Sequence, residues 1–286
     1  ERRLFLGGDE GLTVLERRAD GWEEVARALE GQPVTTVSAS KYAILAGTRE
    51  GIYVSWNEGR SWQATSGGLT EPHIRWLSYH ADDPWLAFAG TEPAAIFVSE
   101  DGAESWRACP EVAELRDANG WYLPYSPEAG CVRGFAFDGL RGYAAVEQGG
   151  LLRTDDGGLS WRLASGSTGD PTAPVLEGRI HTDVHSVTSH PSSPDLVLAP
   201  TGGGLYWSDD GGETWTEQVS NTAYSLRSIS FSSPSHGLAV GDGGTILKTT
   251  DGGVTWVVVR TDWMDTLHGV HALDESLAWV VGKNAI

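Results

Sequence analysis

Short runs of alternating hydrophobic and polar residues recur along most of the chain, separated by Gly, Asp, Asn or Ser. In the repeat that follows Trp161, the runs lie at 183–189, 196–200, 204–208 and 214–218. Alternation with a period of two predicts β-strands, and the turn residues between them predict antiparallel hairpins. This part of the chain is therefore predicted to form a four-stranded sheet.

The same succession of strands recurs along the chain, and each repeat has a first, innermost strand. We predict these strands at Val34–Ala39, Ile74–His80, Val132–Asp138, Asp183–Ser189, Leu226–Phe231 and Leu267–Leu273.

A motif that ends in tryptophan follows the third predicted strand of most repeats. Its five clear copies are Ser55–Trp62, Ser99–Trp106, Thr154–Trp161, Ser208–Trp215 and Thr249–Trp256, and a weak sixth copy ends at Trp22. Successive tryptophans are 40, 44, 55, 54 and 41 residues apart. A period of this size suits one four-stranded propeller blade per repeat.

The motif reads Ser/Thr-x-Asp-x-Gly-x-Ser/Thr-Trp, which is the chemistry of a turn. The third-place carboxylate can accept backbone N–H bonds across a tight hairpin, and glycine in fifth place allows a positive φ. The indole fills the gap between neighbouring sheets. We therefore assign structural roles to Asn57, Asp101, Asp156, Asp210, Asp251, Trp62, Trp106, Trp161, Trp215 and Trp256.

This pattern resembles the Asp-box, or bacterial neuraminidase (BNR), repeat, and the resemblance covers nearly the whole chain. Two copies depart from it, since Asn57 replaces the Asp and Ala103 replaces the Gly. Propellers with this repeat include sialidases, xyloglucanase-type glycoside hydrolases, sortilin ectodomains and photosystem II assembly factors. The stretch Gly241–Gly253 looks most like the assembly-factor type. The box is structural in all of these families, so the resemblance implies a fold and not a ligand.

We predict an all-β fold, a single β-propeller domain over residues 1–286 with four-stranded antiparallel blades. The inner strands favour six blades, with the ring closed by pairing the N- and C-terminal strands in one blade. Because Leu4–Gly8 and Leu277–Gly282 both resemble second strands, an incomplete seventh blade is the alternative. Apolar residues between Trp22 and Leu29 have helical spacing, but the repeat register leads us to interpret this stretch as an outer strand.

Charge narrows the classes of partner. The 286 residues carry 20 Lys+Arg against 39 Asp+Glu, a formal net charge of −19. This excess of acid argues against nucleic acids, whose phosphates need clustered cations, and against anionic membrane surfaces. No apolar run approaches the ~20 residues that span a bilayer, so no membrane insertion is expected. The first residues, Glu1-Arg2-Arg3-Leu4, do not resemble a signal peptide, and we expect no targeting segment in this sequence.

Two long insertions, Arg107–Cys131 and Arg162–Thr182, each connect a fourth strand to the next first strand, which places both on one face of the blades. We call this the upper face, and long loops on a rigid scaffold commonly carry recognition. Each inner strand begins there with a triplet whose middle residue is polar or basic. These middle residues are Thr35, Arg75, Arg133, His185, Arg227 and His268, and we predict that they surround the channel mouth at one depth.

Two interpretations of these basic residues are open. The arginines would bind a carboxylate, sulfate or phosphate of a ligand through their paired N–H groups. Alternatively, each arginine pairs with a neighbouring acid, such as Asp183 or Glu147, and joins adjacent blades. The predicted ligand-binding residues are Arg75, Arg133, His185, Arg227, His268, His73, Asp183 and Glu147.

His181, Asp183 and His185 alternate along one predicted strand and so share a face. They would bind a divalent metal, or act as a base with its orienting carboxylate, and His73 falls at the same level. The alternative is a polar strand end packed against the second insertion. No other cofactor is predicted.

Cys109 and Cys131 bracket the first insertion and are the only two cysteines. A disulfide between them would close a loop of about 22 residues and indicate an extracytoplasmic location, periplasmic or secreted. Two buried thiols are the alternative and would favour the cytoplasm.

Aromatic residues also lie on the predicted upper face. Trp121, Tyr122 and Tyr125 belong to the first insertion, and Trp263 precedes the last inner strand. Such rings suit sugars or peptide side chains, or they anchor the loops by packing.

We favour a non-catalytic binding or assembly scaffold whose upper face recognises an anionic ligand, a glycan, or a partner peptide or protein. A glycoside hydrolase is the first alternative. Arg75, Arg133 and Arg227 would imitate the arginine triad of sialidases, although no Arg-Ile-Pro segment and no Tyr–Glu nucleophile pair of that family is found.

Carboxylates would instead be needed for a xyloglucanase-type reaction, and Asp183, Glu147 and Asp242 are the candidates. A metal-dependent hydrolase or lyase at His181, Asp183 and His185 is the remaining alternative.

Overall fold

The computed structural model describes residues 3–126, 129–259 and 262–283. Its regular structure is almost entirely β-strand, and all strand pairs are antiparallel. The chain divides into two compact units, Glu1–Glu114 and Leu115–Ile286. The prediction of one domain over residues 1–286 stays a prediction.

The first unit contains a three-stranded sheet followed by two four-stranded sheets. Their strands are β1 (Arg3–Gly8), β2 (Gly11–Arg18) and β3 (Gly21–Ala28); β4 (Val34–Ala39), β5 (Ile44–Thr48), β6 (Gly51–Ser55) and β7 (Gln63–Ala64); and β8 (Ile74–Tyr79), β9 (Ala87–Thr91), β10 (Ile96–Ser99) and β11 (Arg107–Ala108).

The second unit contains three four-stranded sheets and a final two-stranded sheet. Their strands are β12 (Cys131–Asp138), β13 (Arg141–Glu147), β14 (Gly150–Thr154) and β15 (Arg162–Leu163); β16 (Thr188–His190), β17 (Ser193–Thr201), β18 (Gly204–Ser208) and β19 (Thr216–Gln218); β20 (Leu226–Phe231), β21 (Gly237–Gly241), β22 (Ile246–Thr249) and β23 (Val257–Val259); and β24 (Leu267–Ala272) and β25 (Ala278–Gly282).

Each four-stranded sheet is a propeller blade whose strands neighbour one another in chain order. Five blades are complete within the described residues, and a smaller sheet lies at each end of the chain. The fold is the six-bladed all-β propeller predicted from the sequence.

The end sheets nevertheless contain two second strands. Gly7 of β1 faces Val34 as Gly47 of β5 faces Ile74, so β1 holds the place of a second strand. The strand β25 pairs with β24 as β21 pairs with β20, and is also a second strand. The end sheets thus hold one strand more than a blade uses, and the pairing of N- and C-terminal strands within one blade stays a prediction.

Most predicted inner strands agree with the observed bounds to within one residue, and the stretch after Trp22 is an outer strand, as interpreted. The prediction of a strand over Asp183–Ser189 was wrong for most of its length, because β16 begins only at Thr188. Before that point Val184 makes a single bridge to Thr201 and donates its N–H to the carbonyl of Val146 in the preceding blade.

Hydrophobic side chains fill the gaps between consecutive blades of one unit. In the second unit, Tyr143 of β13 and Val197 of β17 belong to one buried cluster, and Trp215 lies within it. Comparable clusters contain Trp106 in the first unit and Trp256 in the second. The box tryptophans therefore join neighbouring sheets.

The Asp boxes are hydrogen-bonded turns. Ser208 Oγ accepts the N–H of Gly212 and donates to Asp210 Oδ1, both at 2.8 Å. The Asp210 carboxylate accepts the N–H of Thr214 at 2.9 Å through Oδ1 and its hydroxyl at 2.6 Å through Oδ2. Burial would raise the pKa of Asp210, but these hydrogen bonds outweigh it and lower the pKa. Trp215 Nε1 donates to the carbonyl of Gly212 at 3.2 Å, which ties the indole to the turn.

The two divergent boxes keep the same geometry. Asn57 Oδ1 accepts the N–H of Ser61 at 2.9 Å, and its Nδ2 donates to Ser61 Oγ at 2.8 Å. Ala103 adopts a φ of 79°, the left-handed conformation that glycine provides elsewhere. The turn thus tolerates either replacement.

The first insertion contains a helix, α1 (Pro110–Asn119), that our sequence analysis did not predict. The signals were present, because Pro110 occupies the first helical turn and Gly120 follows the last residue with a φ of 61°. In the described part of the chain, no helix has the length and hydropathy needed to cross a bilayer.

Candidate functional site

The middle residue of each inner-strand triplet lies on a β-bulge. In five sheets the pairing of first and second strands skips one residue, and the skipped residues are Thr35, Arg75, Arg133, Arg227 and His268. In the remaining blade Val184 faces Thr201 and Thr188 faces Leu198, so one extra residue lies in the interval that contains His185. A bulge redirects the side chain of its extra residue. The six residues therefore occupy equivalent positions at the start of their inner strands.

Each arginine of this set pairs with a carboxylate of its own blade. In the first unit Arg75 Nη1 lies 2.9 Å from Glu92 Oε2. In the second unit Arg133 Nη1 lies 2.5 Å from Glu147 Oε2.

Arg227 makes a two-pronged contact, with Nε 3.0 Å from Asp242 Oδ1 and Nη2 3.1 Å from Oδ2. In all three blades the acidic partner lies at the upper end of the second strand, directly across from the bulge. Glu147 is the last residue of its strand, whereas Glu92 and Asp242 directly follow theirs. The structure therefore shows the acid pairing that we considered for the arginines, although it lies within a blade and not between blades.

Thr35 and His185 make the contacts between blades. Thr35 Oγ1 donates to the carbonyl of Ile74 at 2.6 Å, and His185 Nδ1 lies 2.7 Å from the carbonyl oxygen of Leu226. In both cases the acceptor is the first residue of the next inner-strand triplet. These two side chains thus fasten consecutive inner strands to each other.

The second unit brings six charged or titratable side chains of three consecutive blades together, and we call them the polar strip: Arg133, Glu147, Asp183, His185, Arg227 and Asp242. Asp183 Oδ1 lies 3.2 Å from His185 Nε2, and donor atoms of Glu147, Asp183 and His185 all lie within 4.8 Å of one another. The strip holds three carboxylates and two arginines, so it presents no excess of positive charge. An anionic ligand would have to compete with the carboxylates already in place.

Burial alone would raise the pKa of Glu147, but the charge of Arg133 and the hydrogen bond from Tyr125 outweigh it and lower the pKa to about 2. The Tyr125 hydroxyl donates to Glu147 Oε1 at 2.6 Å, and burial raises the pKa of that phenol above its ordinary value. For Asp242, burial alone would raise the pKa, but the hydrogen bond and charge of Arg227, together with a hydrogen bond from Thr266 and the charge of His185, outweigh burial and lower the pKa. Glu147 and Asp242 are therefore ionised at neutral pH.

The remaining predicted histidines lie outside the polar strip. His181 Nδ1 accepts the N–H of Asp183 at 3.0 Å, and burial lowers its pKa. His73, in the first unit, lies with Nδ1 3.9 Å from Glu92 Oε2. His268 is an exposed residue on the bulge of β24. Sequence reasoning missed Glu92, which holds Arg75 as Glu147 holds Arg133.

The aromatic residues of the first insertion divide into two kinds. Trp121 is buried and donates Nε1–H to the carbonyl of Gly169 at 2.7 Å, so it anchors the loop. Tyr122 and Tyr125 expose large parts of their rings, as does Trp263 before β24. These exposed rings remain candidates for ligand contact.

Of the two alternatives considered for Cys109 and Cys131, the structure shows two buried thiols, and the possible disulfide is not formed. Cys109 immediately precedes α1, whereas Cys131 opens β12 and directs Sγ to Glu147 Oε2 at 3.4 Å. The second thiol thus belongs to the surroundings of the Arg133–Glu147 pair.

Blades, boxes and bulges together define an Asp-box β-propeller. In agreement, a model of the BNR/Asp-box repeat family matches residues 206–217, which include the whole box Ser208–Trp215.

Among curated proteins the chain is similar to Photosystem II assembly protein Ycf48. It is 25% identical over 276 residues to that of Synechococcus sp. (strain JA-2-3B'a(2-13)), covering 85% of this chain and 80% of the relative. The match to the protein of strain JA-3-3Ab, also 25% identical, spans only 56% of that relative's length. A third relative, from strain CC9902, is named Photosystem II assembly lipoprotein Ycf48 and is 26% identical over 150 residues, 42% of its length.

Solved structures agree on the fold. YCF48 bound to D1 peptide has a TM-score of 0.68 and 16% identity, covering 98% of this chain and 85% of that one. YCF48 from Cyanidioschyzon merolae gives a TM-score of 0.70 at 16% identity, covering 99% and 89%. The GH74 xyloglucanase from Xanthomonas campestris gives 0.60 at 17% identity, covering 94% and 42%.

Proposed function

We propose that this protein is a non-catalytic assembly scaffold that binds a peptide segment of a partner protein at the upper ends of its blades. The observation that carries the proposal is the similarity to a Photosystem II assembly protein over 85% of this chain. A structural neighbour of the same name is bound to D1 peptide.

The chemistry of the polar strip supports a peptide over a simple anion. Its guanidinium and carboxylate groups offer donors and acceptors side by side, which match the N–H and C=O groups of an extended chain. Arg133 and Arg227 keep 16% and 23% of their side chains exposed, so both retain solvent-facing edges. The exposed rings of Tyr122 and Tyr125 would add apolar contacts.

The same carboxylates fit glycoside hydrolysis poorly. A general acid needs a pKa raised toward the working pH, whereas the pKa values of Glu147 and Asp242 are both lowered. Arg227 also directs its fork at Asp242, which removes it from the arrangement of a sialidase triad.

We also propose that this protein is located outside the cytoplasm. One relative is named as a lipoprotein, which supports this location. Because Cys109 and Cys131 are buried thiols, no disulfide between them supports this location.

Calorimetric titration with the D1 peptide tests the proposal. We expect the protein to bind it and Arg227→Ala to bind about tenfold more weakly, because a charge-assisted contact contributes roughly 1.5 kcal/mol. Arg162→Ala is the matched control, since its exposed pair with Asp155 lies at a box and not at a bulge. If the protein does not bind the peptide and hydrolyses xyloglucan, the scaffold proposal is wrong and the glycoside hydrolase becomes the supported function.

A further inference from the structure

The tautomer of His185 follows from one hydrogen bond. Its Nδ1 lies 2.7 Å from the carbonyl oxygen of Leu226, which can only accept, so Nδ1 carries the hydrogen. In the neutral ring, Nε2 is then a lone-pair acceptor. A histidine whose Nδ1–H is fixed by a backbone carbonyl, with Nε2 facing a carboxylate, has the arrangement found in metal ligands.

The atom that Nε2 faces is also an acceptor. Asp183 Oδ1 lies 3.2 Å away and, among the described residues, this buried oxygen has no hydrogen-bond partner. A proton on Nε2 would therefore not point at Oδ1, although the two atoms are close. Two acceptors in such proximity call for a cation that both can contact.

The geometry suits one metal ion. With metal–ligand bonds of about 2.1 Å, a separation of 3.2 Å between Nε2 and Oδ1 corresponds to a ligand–metal–ligand angle of about 100°. Glu147 supplies a third ligand and the second carboxylate, and one donor atom of each residue lies within 4.8 Å of the others. Since Glu147 also holds Arg133, it contributes less than the other two.

The absence of a side chain at Gly202 leaves space for the Asp183 carboxylate. A Cβ on Gly202 would lie 2.2 Å from Asp183 Oδ2, so a larger residue would displace this side chain. His181, which the sequence pattern had joined to Asp183 and His185, is directed elsewhere, since its Nδ1 accepts the N–H of Asp183.

We propose that Asp183 and His185, assisted by Glu147, form a binding site for a divalent transition metal such as Zn²⁺ or Mn²⁺. The site lies in the polar strip and would add positive charge where carboxylates outnumber arginines. Nitrogen from imidazole with carboxylate oxygen favours these ions over Ca²⁺, which takes oxygen ligands. The inference does not depend on the proposed peptide.

Metal titration of EDTA-treated protein tests the site, read out by the melting temperature and by calorimetry. We expect Zn²⁺ or Mn²⁺ to raise Tm and Ca²⁺ to leave it nearly unchanged. Asp183→Asn and His185→Asn should each weaken binding by about 100-fold, a loss typical of damage to a metal site. His181→Asn is the matched control and should bind as the wild type does.

Mn²⁺ paramagnetic resonance gives a second readout, because the signal of the unbound ion falls when the ion binds. Melting in the absence of metal separates a folding defect from a binding defect in each variant. The proposal is overturned if the wild type does not bind Zn²⁺ or Mn²⁺ at millimolar concentration. It is equally overturned if the folded Asp183→Asn protein binds normally, or if His181→Asn loses binding to the same extent.

Discussion

Replacing Trp215 by alanine is expected to lower the free energy of unfolding by about 4 kcal/mol, because a large aromatic ring is removed from a well-packed gap between two blades. The side chain is only 3% exposed and belongs to the same buried cluster as Tyr143 and Val197. Its surroundings are built closely around it, since a Cβ on Gly166 would lie 2.4 Å from Trp215 Cδ1. Urea denaturation followed by circular dichroism measures the loss.

Trp62→Ala is the matched control for this substitution. Trp62 ends the first clear box and donates Nε1–H to the carbonyl of Gly59 at 3.2 Å, the same bond that Trp215 makes to Gly212. It is only half-buried, so its loss should cost less than half as much. Equal losses in the two variants would show that the turn hydrogen bond, and not interblade packing, determines the contribution of the box tryptophan.

Glu147→Ala is expected to destabilise the protein by about 3 kcal/mol, since it leaves Arg133 largely buried without its partner. The carboxylate is 4% exposed and also accepts the hydroxyl of Tyr125. Asp242→Ala is the matched control: it breaks the equivalent pair, but Arg227 and Asp242 are 23% and 27% exposed, so water replaces the lost contact. A loss in Asp242→Ala as large as that in Glu147→Ala would contradict this interpretation.

The pH dependence of stability gives the Glu147 prediction a second measurement. The pKa of this group falls from 4.5 to about 2 on folding, so its contribution is present above the unfolded value and is lost as pH falls toward 2. Glu147→Gln removes the titration while preserving the shape of the side chain. Between pH 5 and pH 2 the wild type should therefore lose about 3 kcal/mol more stability than this variant.

The sequence predicts the blades well because their signals are local. A box is defined by hydrogen bonds between residues at most four positions apart, and the strand Gly204–Ser208 agrees with its prediction at both ends. Helix α1 was missed although Pro110 and Gly120 mark its ends, because it lies in an insertion that has no counterpart in the repeat of strands.

The sequence aligns the six positions that lie at β-bulges, but it does not predict their contacts, and their role in ligand binding stays a prediction. The partner of Arg75, for example, is 17 residues away and depends on strand register. A signal was available, since the three repeats with an arginine at the bulge also carry an acid at the upper end of the second strand. The corresponding residues in the other repeats are Arg49, Gly202 and Lys283. The contact of His185 with a backbone carbonyl left no trace in the sequence, because any residue provides that acceptor.

The central claim is that the upper ends of the blades bind a partner peptide while the Asp boxes only stabilise the opposite ends. Hydrogen–deuterium exchange of the protein with and without the D1 peptide tests this claim most directly. The account predicts slower exchange in the segments around Arg133, His185 and Arg227, and unchanged exchange in the hairpins before Trp161, Trp215 and Trp256. Protection confined to those hairpins, or a saturated complex with no protection at the bulges, would contradict it.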